Sequence, residues 1–211
     1  METKRQPLQS FASEWEYSPS VSLLFGVFTL VAVVGWLVSS LLTAIHIFAL
    51  PALPADAPVQ GSIEVITSPW AYVFGIPLAT LGAVYYLTTI ALAVWWFDTR
   101  HPLIIKILTP ITATGVIASG YFVWLQLFQI GEICPFCMLS AGATVVLFGL
   151  ELAILRQSTT PPLAELIGEF STVFSQTNTV AVAIPLLVGI ASLAAVFVIP
   201  LLPLPDAVPF A

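Results

Sequence analysis

Gly131-Glu132-Ile133-Cys134-Pro135-Phe136-Cys137-Met138-Leu139-Ser140 is the most informative stretch of this 211-residue chain. It holds both cysteines of the protein, and the apolar run that follows predicts a membrane helix beginning at Cys134. A Cys-x-x-Cys pair can close a small disulfide or present two neighbouring thiols, which is the geometry of thiol–disulfide exchange. The positive end of a helix dipole also favours a thiolate there. The stretch therefore predicts redox chemistry by Cys134 and Cys137.

The composition places this chemistry in a membrane. Hydrophobic residues make up 59% of the chain, charged residues only 8%, and the mean hydropathy is +1.04. A soluble domain has about 25% charged residues, so we expect an all-α integral membrane protein. With five basic residues in the chain, no basic surface for nucleic acid is expected.

Five apolar stretches are long enough to span a bilayer, which takes roughly 20 residues. We expect a transmembrane four-helix catalytic bundle over residues 21–155, with an outer loop at 51–70, and a fifth transmembrane helix over 179–202. The first four spans are predicted at 21–50, 71–97, 103–129 and 134–155. Residues 1–20 have no signal-peptide pattern and are predicted to be a cytoplasmic segment, 156–178 a cytoplasmic linker and 203–211 an outer tail.

The basic residues predict the orientation of the bundle. With the N-terminus in the cytoplasm, all of them fall on the cytoplasmic side, as the positive-inside rule requires: Lys4, Arg5, Arg100, Lys106 and Arg156. We therefore expect a multi-pass protein of the cell membrane whose Cys-x-x-Cys lies on the outer, oxidising side.

Other readings of the cysteines are less favoured. They could be two small apolar residues in a membrane helix, but their spacing and position at a helix start favour redox chemistry. Half of a metal site is a second alternative, yet four soft ligands are needed and His46 is the only nearby imidazole. We predict no metal.

Aromatic residues near the outer ends of the spans allow two interpretations. They can form an aromatic belt at the membrane interface. Alternatively, some of them can form a slot beside the dithiol for a flat, lipid-soluble ring such as a quinone. The candidates for that slot are Trp70, Phe74, Tyr121 and Phe122.

Two motifs resemble the vitamin K epoxide reductase family, in the style of its prokaryotic members. The first is TSPWAYVFGIPLATLG at residues 67–82, followed by Tyr85-Tyr86. The second is CPFCMLSA at residues 134–141. The two motifs occur in the order and on the predicted helices that the family requires.

The resemblance implies a four-helix bundle that holds a quinone of the ubiquinone, menaquinone or vitamin K type near its outer end. It implies that Cys137 faces the quinone and that Cys134 exchanges disulfides with other thiols. Ser68 would bond near the quinone or orient the loop. The quinone would be lined by Trp70, Tyr85, Tyr86 and Phe122. The chain ends after the fifth span, so the expected partner is a separate thioredoxin-fold, DsbA-like protein on the outer face.

One departure from the family concerns the outer loop. The family has a second cysteine pair there, whereas this loop has none, and Ser62 stands at the position of the later loop cysteine. The serine is either a natural loss or an engineered replacement. A partner would then attack the Cys134–Cys137 disulfide directly, or the protein would not turn over with a protein substrate.

The predicted function is therefore oxidation of a dithiol through Cys134 and Cys137, coupled to reduction of a membrane quinone, which supports disulfide formation in exported proteins. Ala141, at a position where relatives acting on vitamin K epoxide often have Tyr, favours this thiol oxidase. The alternatives are a reductase of vitamin K quinone or epoxide, and a redox-inactive membrane protein.

Overall fold

The structure, a computed structural model, describes residues 17–48, 60–158 and 179–198. Its helices are α1 (Ser20–Phe48), α2 (Gln60–Thr67), α3 (Leu78–Thr99), α4 (Pro102–Leu125), α5 (Pro135–Arg156) and α6 (Thr179–Val198). Within these ranges, four helices are long and apolar enough to cross a membrane, namely α1, α3, α4 with its extension to Ile130, and α5. This confirms the prediction of a multi-pass helical bundle. The helix α6 is formed, but its role as a fifth span stays a prediction.

The four long helices form one packed unit. The helix α1 packs against both α3 and α5, α4 packs mainly against α5, and α6 lies on α3. The contact between α3 and α4 is sparser. This leaves space between α3 and α4 towards the end of the bundle that carries the cysteines.

At the other end, Arg100 and Tyr17 together join three segments of the chain. The Tyr17 hydroxyl donates a hydrogen bond to the Arg100 carbonyl oxygen over 3.0 Å. The Arg100 guanidinium lies 4.4 Å from the ring centre of Trp96, which stacks on Phe25 with ring centres 3.9 Å apart. Tyr17 also bridges to Ser158, just after α5. The start of α1, the α3–α4 turn and the end of α5 therefore meet at this end.

A β-hairpin precedes α3 and corrects the predicted start of the second span at Ala71. The strands β1 (Tyr72–Val73) and β2 (Ile76–Pro77) pair antiparallel, and Pro69–Ala71 is a single 3-10 turn. Phe74 and Gly75, between the strands, have φ angles of 51° and 80°. Positive φ is incompatible with a right-handed helix, so α3 begins only at Leu78.

The short helix α2 covers the start of α5. A Cβ atom added to Gly61 would lie 2.7 Å from the Ile133 carbonyl oxygen, so only glycine permits this approach of the two backbones. On the same helix, Val65 and Ile66 pack in one buried cluster with Cys134. Within the predicted outer loop 51–70, the chain thus forms a short helix that lies over the cysteine.

Two glycines in the bundle make room for two tyrosines of α3. A methyl group at Gly35 of α1 would overlap the ring of Tyr86. A methyl group at Gly115 of α4 would lie within 2.6 Å of the Tyr85 hydroxyl oxygen. Small residues that let helices and large side chains approach closely are typical of membrane bundles.

We predict that Gly35→Ala destabilises the bundle by about 1–3 kcal/mol, because the added methyl group displaces the buried Tyr86 ring. Thermal unfolding of the purified protein in detergent measures this. Gly149→Ala is the matched control, since nothing lies within 4 Å of a Cβ at that position. Equal melting temperatures for the two variants would contradict the packing described here.

Candidate functional site

The two cysteines form a disulfide at the first turn of α5. Cys134 and Cys137 are bonded, with Cα atoms 5.2 Å apart. Cys134 is the N-cap residue of α5, and its Sγ accepts a hydrogen bond from the Cys137 N–H over 3.1 Å. Pro135 occupies the first helical position, where its missing N–H costs nothing. Cys134 is 0% exposed, whereas Cys137 is half-buried.

A π-helical turn before α5 determines the position of the disulfide. After α4 the chain makes a π turn over Gln126–Ile130, which Gly131 ends with a φ angle of 79°. The side chain of Gln126 then reaches Cys134, whose N–H donates a 2.9 Å hydrogen bond to the amide oxygen Oε1. The wider turn and the left-handed glycine thus set where α5 begins.

A large cavity of about 750 Å³ lies beside the disulfide. Its walls come from α1, the α2–hairpin segment, α3, α4 and α5, and most of the lining side chains are apolar. It extends along α4 from Pro110 to Gln126, which is roughly 24 Å at the rise of an α-helix. Cys137 lines this cavity and Cys134 does not. Cys137 therefore borders the cavity, and Cys134 packs beneath α2.

Five of the six residues predicted to bind a quinone line the cavity, namely Ser68, Trp70, Tyr85, Tyr86 and Phe122. Phe74 does not, because it occupies the tip of the hairpin with positive φ and is 101% exposed. Tyr121, another candidate for the slot, also lies off the cavity, on an exposed face where its ring stacks with Trp124. Their part in binding stays a prediction.

The two neighbouring tyrosines differ in their hydrogen bonds. The Tyr86 hydroxyl donates to the Ser140 carbonyl oxygen over 2.6 Å and lies 2.9 Å from the Thr144 hydroxyl. The buried Tyr85 hydroxyl has no hydrogen-bond partner among the described residues. Tyr86 therefore ties α3 to α5, whereas Tyr85 is free to interact with the contents of the cavity.

The Ser68 hydroxyl is already engaged. It donates to the Val65 carbonyl oxygen over 2.8 Å, at the end of α2. Of the two roles that the resemblance implied for Ser68, orientation of the loop is the one that this bond serves.

Two further polar features lie at the cavity. His46 lines it, and its Nε2 is 3.1 Å from the Tyr72 hydroxyl, which joins the end of α1 to the hairpin. Gln126 also lines it, although neither sequence motif predicted a role for this residue. A glutamine near the end of an apolar run, eight residues before Cys134, was the available signal. The described residues contain no group of three or more potential metal ligands from His, Cys, Asp and Glu.

Ser62 lies on the cysteine-facing side of α2. It is 2% exposed, and its hydroxyl has no hydrogen-bond partner among the described residues. Residues three and four positions apart share one face of a helix, so Ser62 shares the face of Val65 and Ile66, which pack in the cluster with Cys134.

The model of the vitamin K epoxide reductase family matches residues 26–152, which is more than half of the chain. The matched range contains both cysteines and the cavity-lining residues from Ser39 to Thr144. A search of curated proteins gave no match.

We predict that Tyr86→Phe lowers the free energy of unfolding by about 1–2 kcal/mol, since it removes a bridge between α3 and α5. Tyr85→Phe removes an unpartnered hydroxyl and is expected to change the free energy of unfolding by less than about 1 kcal/mol. Thermal or denaturant unfolding of both variants in detergent makes the comparison. A larger loss for Tyr85→Phe would contradict the assigned hydrogen bonds.

Proposed function

The chain belongs to the vitamin K epoxide reductase family, and from that premise we propose that it is a quinone-dependent thiol–disulfide oxidoreductase. It oxidises a dithiol through Cys134 and Cys137 and passes the electrons to a membrane quinone, so that disulfides form in exported proteins. Family membership supports an oxidoreductase in a multi-pass membrane protein; the coupling to quinone is our proposal.

The observation that carries the proposal is the position of Cys137 in the wall of the elongated cavity. The cavity volume lies within the range of about 300–1,000 Å³ that small-molecule sites occupy. Its apolar lining and its length along α4 suit a flat head group near Cys137 with a prenyl tail towards Tyr85 and Pro110. Trp70 and Phe122 supply aromatic surface for the head group.

The chemistry at the pair balances in electrons and protons. A substrate thiolate attacks Cys134, forms a mixed disulfide and releases Cys137 as a thiolate at the helix start. A second substrate thiol resolves the mixed disulfide, and the pair is left as a dithiol. Its reoxidation to the disulfide releases two electrons and two protons, which a bound quinone accepts to become a quinol. When the second substrate thiol resolves the mixed disulfide, Cys134 leaves as a thiolate, and the N–H of Cys137 and the first turn of α5 stabilise its negative charge.

Burial of Cys134 restricts how a substrate reaches it. The sulfur lies under α2 and shares a cluster with Val65 and Ile66, so the attacking thiolate requires α2 to move away. We propose that a separate thioredoxin-fold, DsbA-like protein supplies this thiolate on the outer face. The separation of Arg100 and Arg156 from the cysteine end supports the orientation, because basic residues favour the cytoplasmic side.

We predict that the purified protein reduces short-chain ubiquinone or menaquinone with dithiothreitol as the electron donor. The measurement is quinol formation by absorbance. Cys134→Ser and Cys137→Ser should each lower the rate to that of the uncatalysed reaction, because the disulfide can no longer re-form.

A folded sample with no turnover on any quinone would overturn the proposed function. Turnover that survives Cys137→Ser would also overturn it, since the electrons would then bypass the pair. Dithiothreitol needs no loop cysteine, so the serine at position 62 does not affect this test.

We propose further that Ser62 occupies the place of a relay thiol. Its buried, unpartnered hydroxyl and its position on the cysteine-facing side of α2 support this. A thiol at this position would be well placed to exchange with the Cys134 sulfur.

We predict that Ser62→Cys combined with Cys137→Ser yields a disulfide between position 62 and Cys134 under mild oxidation. Alkylation of free thiols followed by mass measurement detects it. The matched control is Thr67→Cys in the same background, because Thr67 is on the exposed side of the same helix. Two alkylated thiols in the position-62 variant would refute the placement.

A further inference from the structure

Gln126 connects the disulfide and the cavity, although neither cysteine chemistry nor the family motifs point to it. It is 3% exposed, it opens the π turn that follows α4, and it lines the cavity. Turns of this kind in otherwise α-helical segments are often found at functional sites. A buried side-chain amide has one acceptor oxygen and two donor hydrogens, and each of them needs a hydrogen-bond partner.

The orientation of the amide is fixed by a backbone group. The Cys134 N–H can only donate, and it lies 2.9 Å from the side-chain oxygen of Gln126. An amide turned the other way would bring two donors together. The oxygen is therefore directed at the start of α5, and the NH₂ group is directed away from Cys134.

The NH₂ group is poorly satisfied by the protein. Its one hydrogen bond is to the Phe122 carbonyl oxygen over 3.5 Å, which is long for such a bond. That carbonyl already accepts the backbone N–H of Gln126. The described residues provide no second acceptor to this NH₂ group, and burying an unpaired donor is unfavourable.

We propose that the Gln126 NH₂ group donates a hydrogen bond to a carbonyl oxygen of the quinone head group. This inference rests on the proposed function and adds a ligand-binding residue to it. The same amide holds the Cys134 backbone through its oxygen, so one side chain positions both the disulfide and its electron acceptor. Phe122, one turn earlier on α4, provides an aromatic face beside that hydrogen bond.

The test compares Gln126→Met, which keeps the length and removes the hydrogen-bonding groups, with Gln129→Met on the exposed side of the same turn. Infrared difference spectroscopy of a bound short-chain quinone reports the hydrogen bond directly. The wild type and Gln129→Met should show a carbonyl stretch shifted to lower frequency, and Gln126→Met should lose that shift. We also expect the KM for quinone to rise about three- to tenfold in Gln126→Met.

A second readout needs no quinone. The rate at which dithiothreitol reduces the Cys134–Cys137 disulfide should change in Gln126→Met, because the Cys134 N–H loses its acceptor, and should not change in Gln129→Met. An unchanged rate would overturn the positioning role.

The wild type alone also tests the donor role, even if Gln126→Met does not fold. A quinone bound to the wild type with no shifted carbonyl would overturn the hydrogen bond while leaving the proposed function intact. A wild type that binds and reduces no quinone would overturn both. Equal spectra and equal KM values for a folded Gln126→Met and the wild type would overturn the role of Gln126 alone.

Discussion

The burial of Cys134 at the start of α5 is the constraint on which the site depends. The first N–H groups of a helix have no partners within it, and Cys134 lies in a buried cluster with residues of α2. The Cys134 N–H is satisfied by Gln126 and the Cys137 N–H by the sulfur of Cys134. The π turn and Gly131 are needed to bring Gln126 there. The geometry of the disulfide thus follows from the need to pair two backbone hydrogens.

The cavity is a consequence of how the bundle places its large and small residues. Gly35 leaves space for the Tyr86 ring, and the Tyr86 hydroxyl forms a hydrogen bond to α5. These two contacts hold α1, α3 and α5 together. Gly115 of α4 leaves space for the Tyr85 side chain, where α3 and α4 have fewer contacts. The adjacent residues Tyr85 and Tyr86 therefore both line the cavity, and each packs against a glycine of a different neighbouring helix.

Composition and spacing were sufficient to predict the membrane bundle and the position of the Cys-x-x-Cys at the start of a helix, because long apolar runs and such a cysteine pair have few alternatives. The hairpin before α3 was missed, since Phe74 adopts a conformation that a bulky residue rarely takes. This also placed Phe74 outside the cavity. Gln126 was missed because its contact with Cys134 depends on a π turn, which local sequence does not indicate. Residues 1–16 of the predicted N-terminal segment, 51–59 of the loop, 159–178 of the linker, 199–202 of the fifth span and the tail 203–211 lie outside the described residues, so those expectations stay predictions.

The complete burial of Cys134 has a kinetic consequence. A thiol in bulk solution meets the Cys134 sulfur only during the fraction of time in which α2 is displaced, and such local opening has its own free energy. Attack of abundant small thiols on Cys134 is therefore slowed by the same factor for all of them, whatever their nucleophilicity. A macromolecule that binds the form with α2 displaced would not be slowed in this way, because its binding energy would favour that form. Selectivity for that macromolecule would then arise because α2 covers Cys134 and hinders its exchange with small thiols. It would not require any special reactivity of the sulfur.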